Sequence, residues 1–223
     1  IAILASNSEG VLSLMDKLLP RLNASIPLVT IAKGLVEIDG EPLPVHAAVQ
    51  RLLSQQSLDS TLAALAGPSI AAEVAREVPT LACLACQEPA TGRRLAHVLS
   101  TRRFHCRPST DAIGVGICSA FKNIYTVALS WPKGLGDRDD SPEQANLKAA
   151  LFLQTLAELR KLVRAAGGNP ETVTGEAGLG DLVTTGEAGR NGQLGRLLGS
   201  GKSTDQALRE LADQGIQTVE GHQ

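Results

Sequence analysis

Short runs of strand-forming residues alternate with helical patterns along the first half of the chain, and these strand signals stop after about residue 111. Alternation of this kind predicts an α/β layer with a parallel sheet, because parallel strands are joined by crossovers that are usually helices. The predicted strands cover residues 1–5, 27–32, 62–66, 80–85 and 104–107. Apolar residues at helical spacing between Val11 and Leu22 predict a crossover helix between the first two strands.

The second half has the periodicity of helices separated by glycine-rich turns. The longest predicted helices cover residues 113–131 and 143–166, and the sequence Gly-Gly-Asn-Pro at 167–170 would end the second one. Residues 108–111 combine turn-forming residues with Asp111, a favourable helix N-cap. We therefore predict two domains, with the sheet in residues 1–110 and helices alone in residues 111–223.

The charge balance argues against nucleic acid as a partner. The chain has 21 Lys+Arg against 23 Asp+Glu, a formal net charge of -2, and only 2% aromatic residues. Nucleic-acid binding needs a clustered basic excess to neutralise phosphates, and single strands also need rings on which bases stack. No unbroken apolar stretch of about 18 residues is present, so we expect no membrane span.

The four cysteines, Cys83, Cys86, Cys106 and Cys118, lack the dense spacing of a secreted disulfide framework, so we expect a reducing cytoplasm. Cys83 and Cys86 form a Cys-x-x-Cys pair inside a predicted strand. Their odd separation directs the two thiols to opposite faces, which favours buried, reduced thiols over a zinc site.

Two glycine motifs resemble phosphate-binding loops but fail on spacing. The run Gly-Ser-Gly-Lys-Ser-Thr at 199–204 ends like a P-loop, but Arg196 stands where the first glycine is needed, and a helical pattern precedes it. We expect a helix end followed by a capping box of Ser203 and Gln206. The run Gly114-Val115-Gly116 lacks the third glycine of a dinucleotide fingerprint and is expected to allow close helix packing. A P-loop phosphotransferase is therefore disfavoured.

Two lysines are candidates for chemistry. Lys33 follows a predicted parallel strand, and open α/β sheets bind ligands at the carboxyl ends of such strands, although a lone lysine there is more often a surface residue. Lys122 lies in a stretch apolar enough to be a buried helix. Burial lowers the pKa of a lysine and makes it a candidate general base. A solvent-facing lysine is the alternative, and periodicity does not decide between the two.

Arg190 and Asn191 stand at the start of a predicted helix. Unpaired backbone amides point outward there, and a guanidinium adds a fork of donors, so the pair is a candidate anion site. A turn with a solvated arginine is the alternative interpretation of residues 189–192 taken alone.

Taken in order, several segments resemble the bacterial type of NAD(P)-dependent glycerol-3-phosphate dehydrogenase. The matching segments are Lys33-Gly34-Leu35, residues 66–75 with Pro79-Thr80, residues 113–115 leading to 120–123, residues 177–183, Arg190-Asn191, and Val219-Glu220-Gly221. Each is weak alone, but together they span almost the whole chain and form a specific signal. The resemblance implies the latter part of a Rossmann-like dinucleotide-binding domain in residues 1–110 and an all-α substrate-binding domain in residues 111–223.

The resemblance also implies an oxidoreductase that interconverts sn-glycerol 3-phosphate and dihydroxyacetone phosphate with NAD or NADP, without a metal. Lys122 would be the proton acceptor, and Asp181 would orient it. The implied substrate-binding residues are Lys33, Gly67, Ser69, Lys122, Asp181, Arg190 and Asn191. The implied cofactor-binding residues are Lys33, Ala71, Arg190 and Glu220. A cytoplasmic enzyme acting on a phosphorylated small molecule is expected, and a homodimer is one expected assembly.

Three departures from the family pattern bear on function. Gly189 stands where the family usually has serine, and residues 131–143 are more charged and richer in proline than the corresponding glycine-rich turn. The family's opening Gly-x-Gly-x-x-Gly unit does not occur in the 223 residues, so this chain by itself is expected to be inactive, to bind NADH weakly and to expose a sheet edge. A non-catalytic relative that serves as a binding or assembly module is the alternative function.

Overall fold

The computed structural model describes residues 1–139 and 144–216. Its strands are β1 (Ala2–Leu4), β2 (Leu28–Thr30), β3 (Leu35–Ile38), β4 (Glu41–Pro44), β5 (Leu62–Ala66), β6 (Thr80–Cys86) and β7 (Phe104–Ser109). Five of them form one sheet in the order β1-β2-β5-β6-β7, and β3 pairs with β4 in a separate hairpin. All five predicted strands are confirmed, whereas the hairpin was not predicted.

Helices α1 (Ser8–Leu18) and α2 (Val45–Gln55) provide the connections between β1, β2 and β5, which pair in parallel as predicted. Asn7 begins α1 because its side chain accepts a hydrogen bond from the backbone N–H of Gly10. The apolar faces of both helices pack in one core with the sheet. Its fully buried members include Leu4, Val11, Met15, Leu28, Val49 and Leu53.

The sheet is mixed, because β6 runs antiparallel to β5. A parallel return needs a crossover of roughly a dozen residues or more that usually carries a full-length helix. The segment between β5 and β6 carries only α3 (Ala71–Ala75), which has five residues. Helix α4 (Pro89–Leu99) then connects β6 to β7, and these two strands are again parallel. The Rossmann-like class is confirmed, with this one pair of strands as the difference from an all-parallel sheet.

The two cysteines of the Cys-x-x-Cys pair lie in different cores, as their spacing predicts. Cys83 packs against the helical part, and Cys86 packs on the other face with Leu95. All four cysteines are free and buried. Burial raises the pKa of the Cys83 and Cys118 thiols to about 12. Among the described residues no cluster of His, Cys, Asp or Glu could hold a metal ion.

The second half is helical, as predicted. Its helices are α5 (Ala112–Arg138), α6 (Ala145–Ala165), α7 (Asp181–Ala188), α8 (Arg190–Gly199) and α9 (Thr204–Asp213). Asp111 is the N-cap of α5, and its side chain accepts a hydrogen bond of 2.9 Å from the backbone N–H of Gly114. The other carboxylate oxygen of Asp111 accepts hydrogen bonds from the backbone N–H of Asn169 and the hydroxyl of Thr172. One carboxylate therefore ties the start of α5 to the turn after α6.

Helix α5 is longer than predicted and continues through Pro132. Proline in a helix interior removes one backbone hydrogen bond. Packing against α8 explains why the helix continues: a Cβ atom on Gly134 would lie 1.9 Å from the carbonyl oxygen of Arg196, and one on Gly195 would lie 2.1 Å from that of Val127. The predicted helix over residues 143–166 is observed as α6, and residue 143 lies outside the described residues.

By length and composition, α5 would also suffice to cross a membrane, although no such span was expected. Half of its most apolar window is buried inside the protein. Core helices of soluble proteins meet the same criterion, so this is weak evidence for a span.

The glycine motifs have the structural roles predicted for them. Ser203 and Gln206 form the capping box of α9, and the glycine-lysine-serine run is a helix-to-helix turn. A Cβ atom on Gly116 would lie 2.1 Å from the ring of His46, so this glycine allows α2 to approach α5.

One core runs across the predicted domain boundary. Ala66 and Cys83 of the sheet pack with Val115 and Cys118 of α5 and with Leu159 of α6. The division at residues 110 and 111 stays a prediction.

Candidate active site

Three charged side chains from distant parts of the sequence meet where the sheet adjoins the helical part. Lys33 comes from the loop after β2, Lys122 from the buried face of α5, and Asp181 from the first position of α7. The predicted position of Lys33 at the carboxyl end of a parallel strand is confirmed. Lys122 is buried, which decides against the solvent-facing alternative.

Asp181 bridges the two lysines. Its Oδ2 atom lies 2.6 Å from Nζ of Lys33, and its Oδ1 atom lies 3.0 Å from Nζ of Lys122. The side chains of Asp181, Lys122 and Lys33 are 3%, 11% and 21% exposed. Lys33 is therefore the member of the cluster most open to solvent, and Asp181 is screened from it.

The amine of Lys122 is tuned toward neutral pH. Burial lowers the pKa of Lys122 to about 8, the neighbouring Asp181 carboxylate raises it, and the charge of Lys33 lowers it. A lysine in this range can exchange a proton near physiological pH.

The loop after β5 lies against the same cluster. The carbonyl oxygen of Gly67 accepts hydrogen bonds from Nζ of Lys33 at 3.4 Å and from the hydroxyl of Ser69 at 3.2 Å. Gly67 has a φ of 123°, which favours glycine, and an added Cβ atom would lie 3.2 Å from the Cα atom of Ala82. Gly67 and Ser69 therefore belong to the site region, as the resemblance implies.

Thr185 is a member of the cluster that the sequence reasoning missed. Its hydroxyl lies 3.2 Å from Nζ of Lys122, one helical turn after Asp181. Its carbonyl oxygen accepts a hydrogen bond from the backbone N–H of Gly189, the residue before α8. The i, i+4 spacing from Asp181 was the available signal, because it puts both side chains on one face of a helix.

Helix α8 begins at the residue after Gly189, whose backbone N–H donates to the carbonyl oxygen of Thr185. Arg190 is the first residue of α8 and is exposed, and Asn191 is buried. A Cβ atom on Gly189 would lie only 2.4 Å from the carbonyl oxygen of Thr185, so a serine does not fit this backbone without a shift. Gly189 thus allows the close approach of α7 to the start of α8.

The remaining predicted cofactor residues are less closely associated with the cluster. Ala71 is exposed at the first position of α3, two residues after Ser69. Glu220 lies outside the described residues.

A five-residue π-helical turn, Glu176–Gly180, leads directly into Asp181. We call it the π-turn. Single π-turns are rare and are often found at functional sites. The sequence reasoning did not identify it, because a run of alanine and glycine carries no distinctive signal for this geometry.

A cavity with a volume of about 1120 Å³ lies elsewhere, among α5 to α9. Its wall includes Leu182 and Val183 but neither lysine of the cluster. Two of its charged residues are already neutralised, Arg196 by Asp137 and Glu210 by Lys202. We therefore assign the chemistry to the lysine–aspartate cluster rather than to this cavity.

The sheet, the helical region joined to it and the charge cluster at the carboxyl ends of the strands place the chain in the class of Rossmann-like proteins, which bind their ligands at that edge of the sheet. Comparison with protein families specifies it further. Residues 1–92 match the model of the NAD-dependent glycerol-3-phosphate dehydrogenase N-terminus, and residues 111–223 match that of the C-terminus. The chain belongs to the NAD-dependent glycerol-3-phosphate dehydrogenase family.

Individual relatives agree. The chain is 36% identical over 222 residues to the NADP(+)-dependent glycerol-3-phosphate dehydrogenase of Archaeoglobus fulgidus, covering all of this chain and 65% of that protein. It is 37% identical over 216 residues to the glycerol-3-phosphate dehydrogenase [NAD(P)+] of Thioalkalivibrio sulfidiphilus, covering 96% and 60%. The crystal structure of the Coxiella burnetii glycerol-3-phosphate dehydrogenase matches with a TM-score of 0.81 and 30% identity, covering 98% and 62%. The chain thus spans less than two thirds of the length of these relatives.

Proposed function

We propose that the protein of which these 223 residues form all or part interconverts sn-glycerol 3-phosphate and dihydroxyacetone phosphate, with NAD or NADP as the redox partner. The observation that carries the proposal is the buried Lys122, held 3.0 Å from Asp181 with a pKa lowered to about 8. Family membership supplies the substrate class. The buried free thiols of all four cysteines support a cytoplasmic setting.

In this proposal Lys122 is the general base. A secondary alcohol gives up its hydride only as its hydroxyl proton leaves, so the neutral amine accepts that proton during oxidation. In the reverse direction the ammonium form returns it to the ketone oxygen. Asp181 and the hydroxyl of Thr185 hold the Nζ atom in place, since both lie within hydrogen-bond distance of it.

The start of α8 and the lysine of the sheet serve substrate binding. Arg190 and the first backbone amides of α8 provide positive charge and donors for the phosphate, with Asn191 beside them. Lys33, Gly67 and Ser69, which are joined by hydrogen bonds to the Gly67 carbonyl, provide the substrate contacts from the sheet. Binding the remote phosphate positions the reacting carbon, which converts binding energy into orientation at Lys122.

Ala71, Lys33 and Arg190 fit a role in binding the nicotinamide side of the cofactor. Ala71 is exposed and carries only a methyl group, so the backbone at this edge can be approached by a flat ring. Lys33, Arg190 and Glu220 complete the set that the resemblance assigns. When bound, NAD or NADP supplies the hydride acceptor or donor. No Gly-x-Gly-x-x-Gly turn occurs in residues 1–223, so we assign pyrophosphate binding to none of them.

Substrate selectivity tests the proposal. The full-length gene product should reduce NAD or NADP with glycerol 3-phosphate. Arg190→Ala should lower kcat/KM for glycerol 3-phosphate by roughly 100-fold more than it lowers any residual turnover of glycerol, because only the former offers an anion to the guanidinium. Arg196→Ala, on the same helix, is the matched control and should keep the selectivity. Equal losses on both substrates would mean that Arg190 does not bind phosphate.

The alternative, a binding or assembly module without activity, is favoured by no observation in the structure. Absence of turnover by the folded full-length product with either cofactor would favour it.

A further inference from the structure

An ion pair outside the proposed catalytic cluster joins Arg107 of β7 to Glu176, the first residue of the π-turn. Nη1 of Arg107 lies 2.7 Å from Oε1 of Glu176. The Glu176 side chain is 12% exposed, whereas that of Arg107 is 65% exposed. The carboxylate is thus buried at the junction of the sheet and the helical part, and its charged partner reaches it from the surface.

The π-turn connects this ion pair mechanically to the catalytic cluster. The backbone carbonyl of Glu176 accepts a hydrogen bond from the backbone N–H of Asp181, which closes the i to i+5 ring of the turn. The position of Glu176 therefore fixes where the backbone of Asp181 begins α7. A shift of Glu176 is transmitted to Asp181 through one hydrogen-bonded ring.

Each end of the π-turn is attached to the sheet by an ion pair, and the two basic partners come from different strands. Asp181 is paired with Lys33 after β2, and Glu176 is paired with Arg107 on β7. Strands β2 and β7 are separated by β5 and β6 in the sheet. Attachment to two separate strands resists rotation of the turn, which a single attachment does not.

The side chain of Glu176 also packs against the loop after β5. An added Cβ atom on Gly67 would lie 3.3 Å from the Cβ atom of Glu176, so the two residues are in close contact. Cys83, which lies next to Ala66 in the sheet register, is close enough to Glu176 for its thiol pKa to be raised by this carboxylate. Glu176 therefore occupies a confined place from which it cannot reorient freely.

We propose that Arg107 and Glu176 are positioning residues that hold the π-turn so that Asp181 stays in contact with Lys122. The inference rests on the proposed function for its catalytic meaning, but the geometry it describes does not depend on turnover.

Arg107 matters in this arrangement although it is exposed. Exposed ion pairs usually contribute little, because both partners are solvated when apart. Here one partner is buried, and within the described part of the chain its Oε1 atom has no well-aligned hydrogen bond. Removing Arg107 leaves a buried carboxylate without its compensating charge, which favours movement of the turn toward solvent.

The test is the pKa of Lys122, measured in the full-length protein by NMR titration of lysine labelled with 13C at Cε. The groups that set this pKa besides burial are Asp181, which raises it, and Lys33, which lowers it. If the π-turn moves and takes Asp181 away, the pKa of Lys122 must fall. We expect Arg107→Gln and Glu176→Gln each to lower it by about 0.5–1 unit.

Two controls separate positioning from general damage. Arg107→Lys keeps the positive charge and should restore the wild-type titration. Arg103→Gln removes an exposed arginine next to β7 that makes no ion pair within residues 1–139 and 144–216, and it should have no effect. If Glu176→Gln does not fold, the titration of Arg107→Gln is sufficient for the test. Arg107→Gln should fold because the Arg107 side chain is mostly exposed to solvent.

An unchanged or raised Lys122 pKa in folded Arg107→Gln overturns the inference. Because the titration requires no substrate, this result is separate from whether glycerol 3-phosphate is oxidised.

Discussion

Two basic side chains lie at α5, buried Lys122 on the helix itself and half-buried His46 packed against it, and they differ in their partners. Lys122 projects from α5 toward Asp181, while His46 of α2 packs its ring against Gly116. Burial lowers the pKa of both, that of Lys122 to about 8 and that of His46 to about 4. Asp181 lies within 3.0 Å of the lysine, whereas Nδ1 of His46 has no hydrogen-bond partner within the described part of the chain.

The comparison shows that the ordinary pKa of a basic group decides what burial does to its charge. Desolvation penalises the charged form of any basic group. The pKa falls by a similar amount in both residues, from 10.5 to about 8 for Lys122 and from 6.5 to about 4 for His46, with burial as the largest cause. His46 is therefore neutral over the whole physiological range, whereas Lys122, which starts from a higher pKa, titrates near neutral pH beside the Asp181 carboxylate. The lysine can support proton transfer, and the histidine contributes only packing.

The largest effect is expected from removing the amine of Lys122. Lys122→Ala in the full-length enzyme should lower kcat by about 100-fold or more, the usual scale for a positioned acid or base. The KM for glycerol 3-phosphate should change much less, because the proposed function assigns phosphate binding to Arg190 and the start of α8. Steady-state kinetics measure both values. Wild-type kcat in the variant would eliminate Lys122 as the base.

The next effect concerns the stability contributed by neutral His46. Its pKa is about 4 in the folded state against 6.5 in the unfolded chain, so the unfolded chain binds the extra proton between these values. The contribution of neutral His46 to the free energy of unfolding is therefore fully present above pH 6.5 and is lost as the pH falls toward 4. Urea unfolding should show a loss of about 2 kcal/mol more for wild type than for His46→Leu between pH 7 and pH 4.5.

His97 provides the matched control for that measurement. It lies exposed on α4, so its ring loses little hydration on folding. His97→Leu should keep the pH dependence of the wild type. A wild-type slope in His46→Leu as well would show that His46 is not held neutral by the fold.

The smallest expected effect is the pH dependence of kcat/KM that follows from the pKa of Lys122. With a pKa of about 8 for Lys122, alcohol oxidation needs the neutral amine, and its kcat/KM should fall about tenfold per pH unit below that value. Ketone reduction needs the ammonium form, so its kcat/KM should fall above the same value. Initial rates in both directions from pH 6 to 10 measure this. Parallel profiles in the two directions would contradict the assignment.

The strands and the crossover helix α1 could be predicted, because each depends on local pattern, whereas periodicity left the burial of Lys122 undecided. The antiparallel β6 could not be predicted, since its direction depends on how little helix the segment after β5 forms in three dimensions. Continuation of α5 through Pro132 could not either, because the gain comes from contact with α8, which is distant in sequence.

The site divides in the same way. Lys33, Lys122 and Asp181 were each identified from local context or resemblance, but their meeting at one carboxylate is a tertiary fact. Thr185 was missed although it shares a helix face with Asp181, because threonine at that spacing is common on helices. Arg107 and Glu176 carry no sequence signal, since neither their pairing nor the π-turn follows from a local pattern.

The close packing of α5 against α8 has a consequence for synthesis of the chain on the ribosome. Helix α5 ends at residue 138, and α8 begins only at residue 190. At ordinary translation rates of roughly 5–20 residues per second, several seconds pass before the partner helix emerges. During that time the sheet can already cover one side of α5, while the glycine-lined side that α8 will occupy stays in water. Helix α5, which is long and apolar enough by composition to cross a membrane, is therefore half-covered until its partner helix has been made.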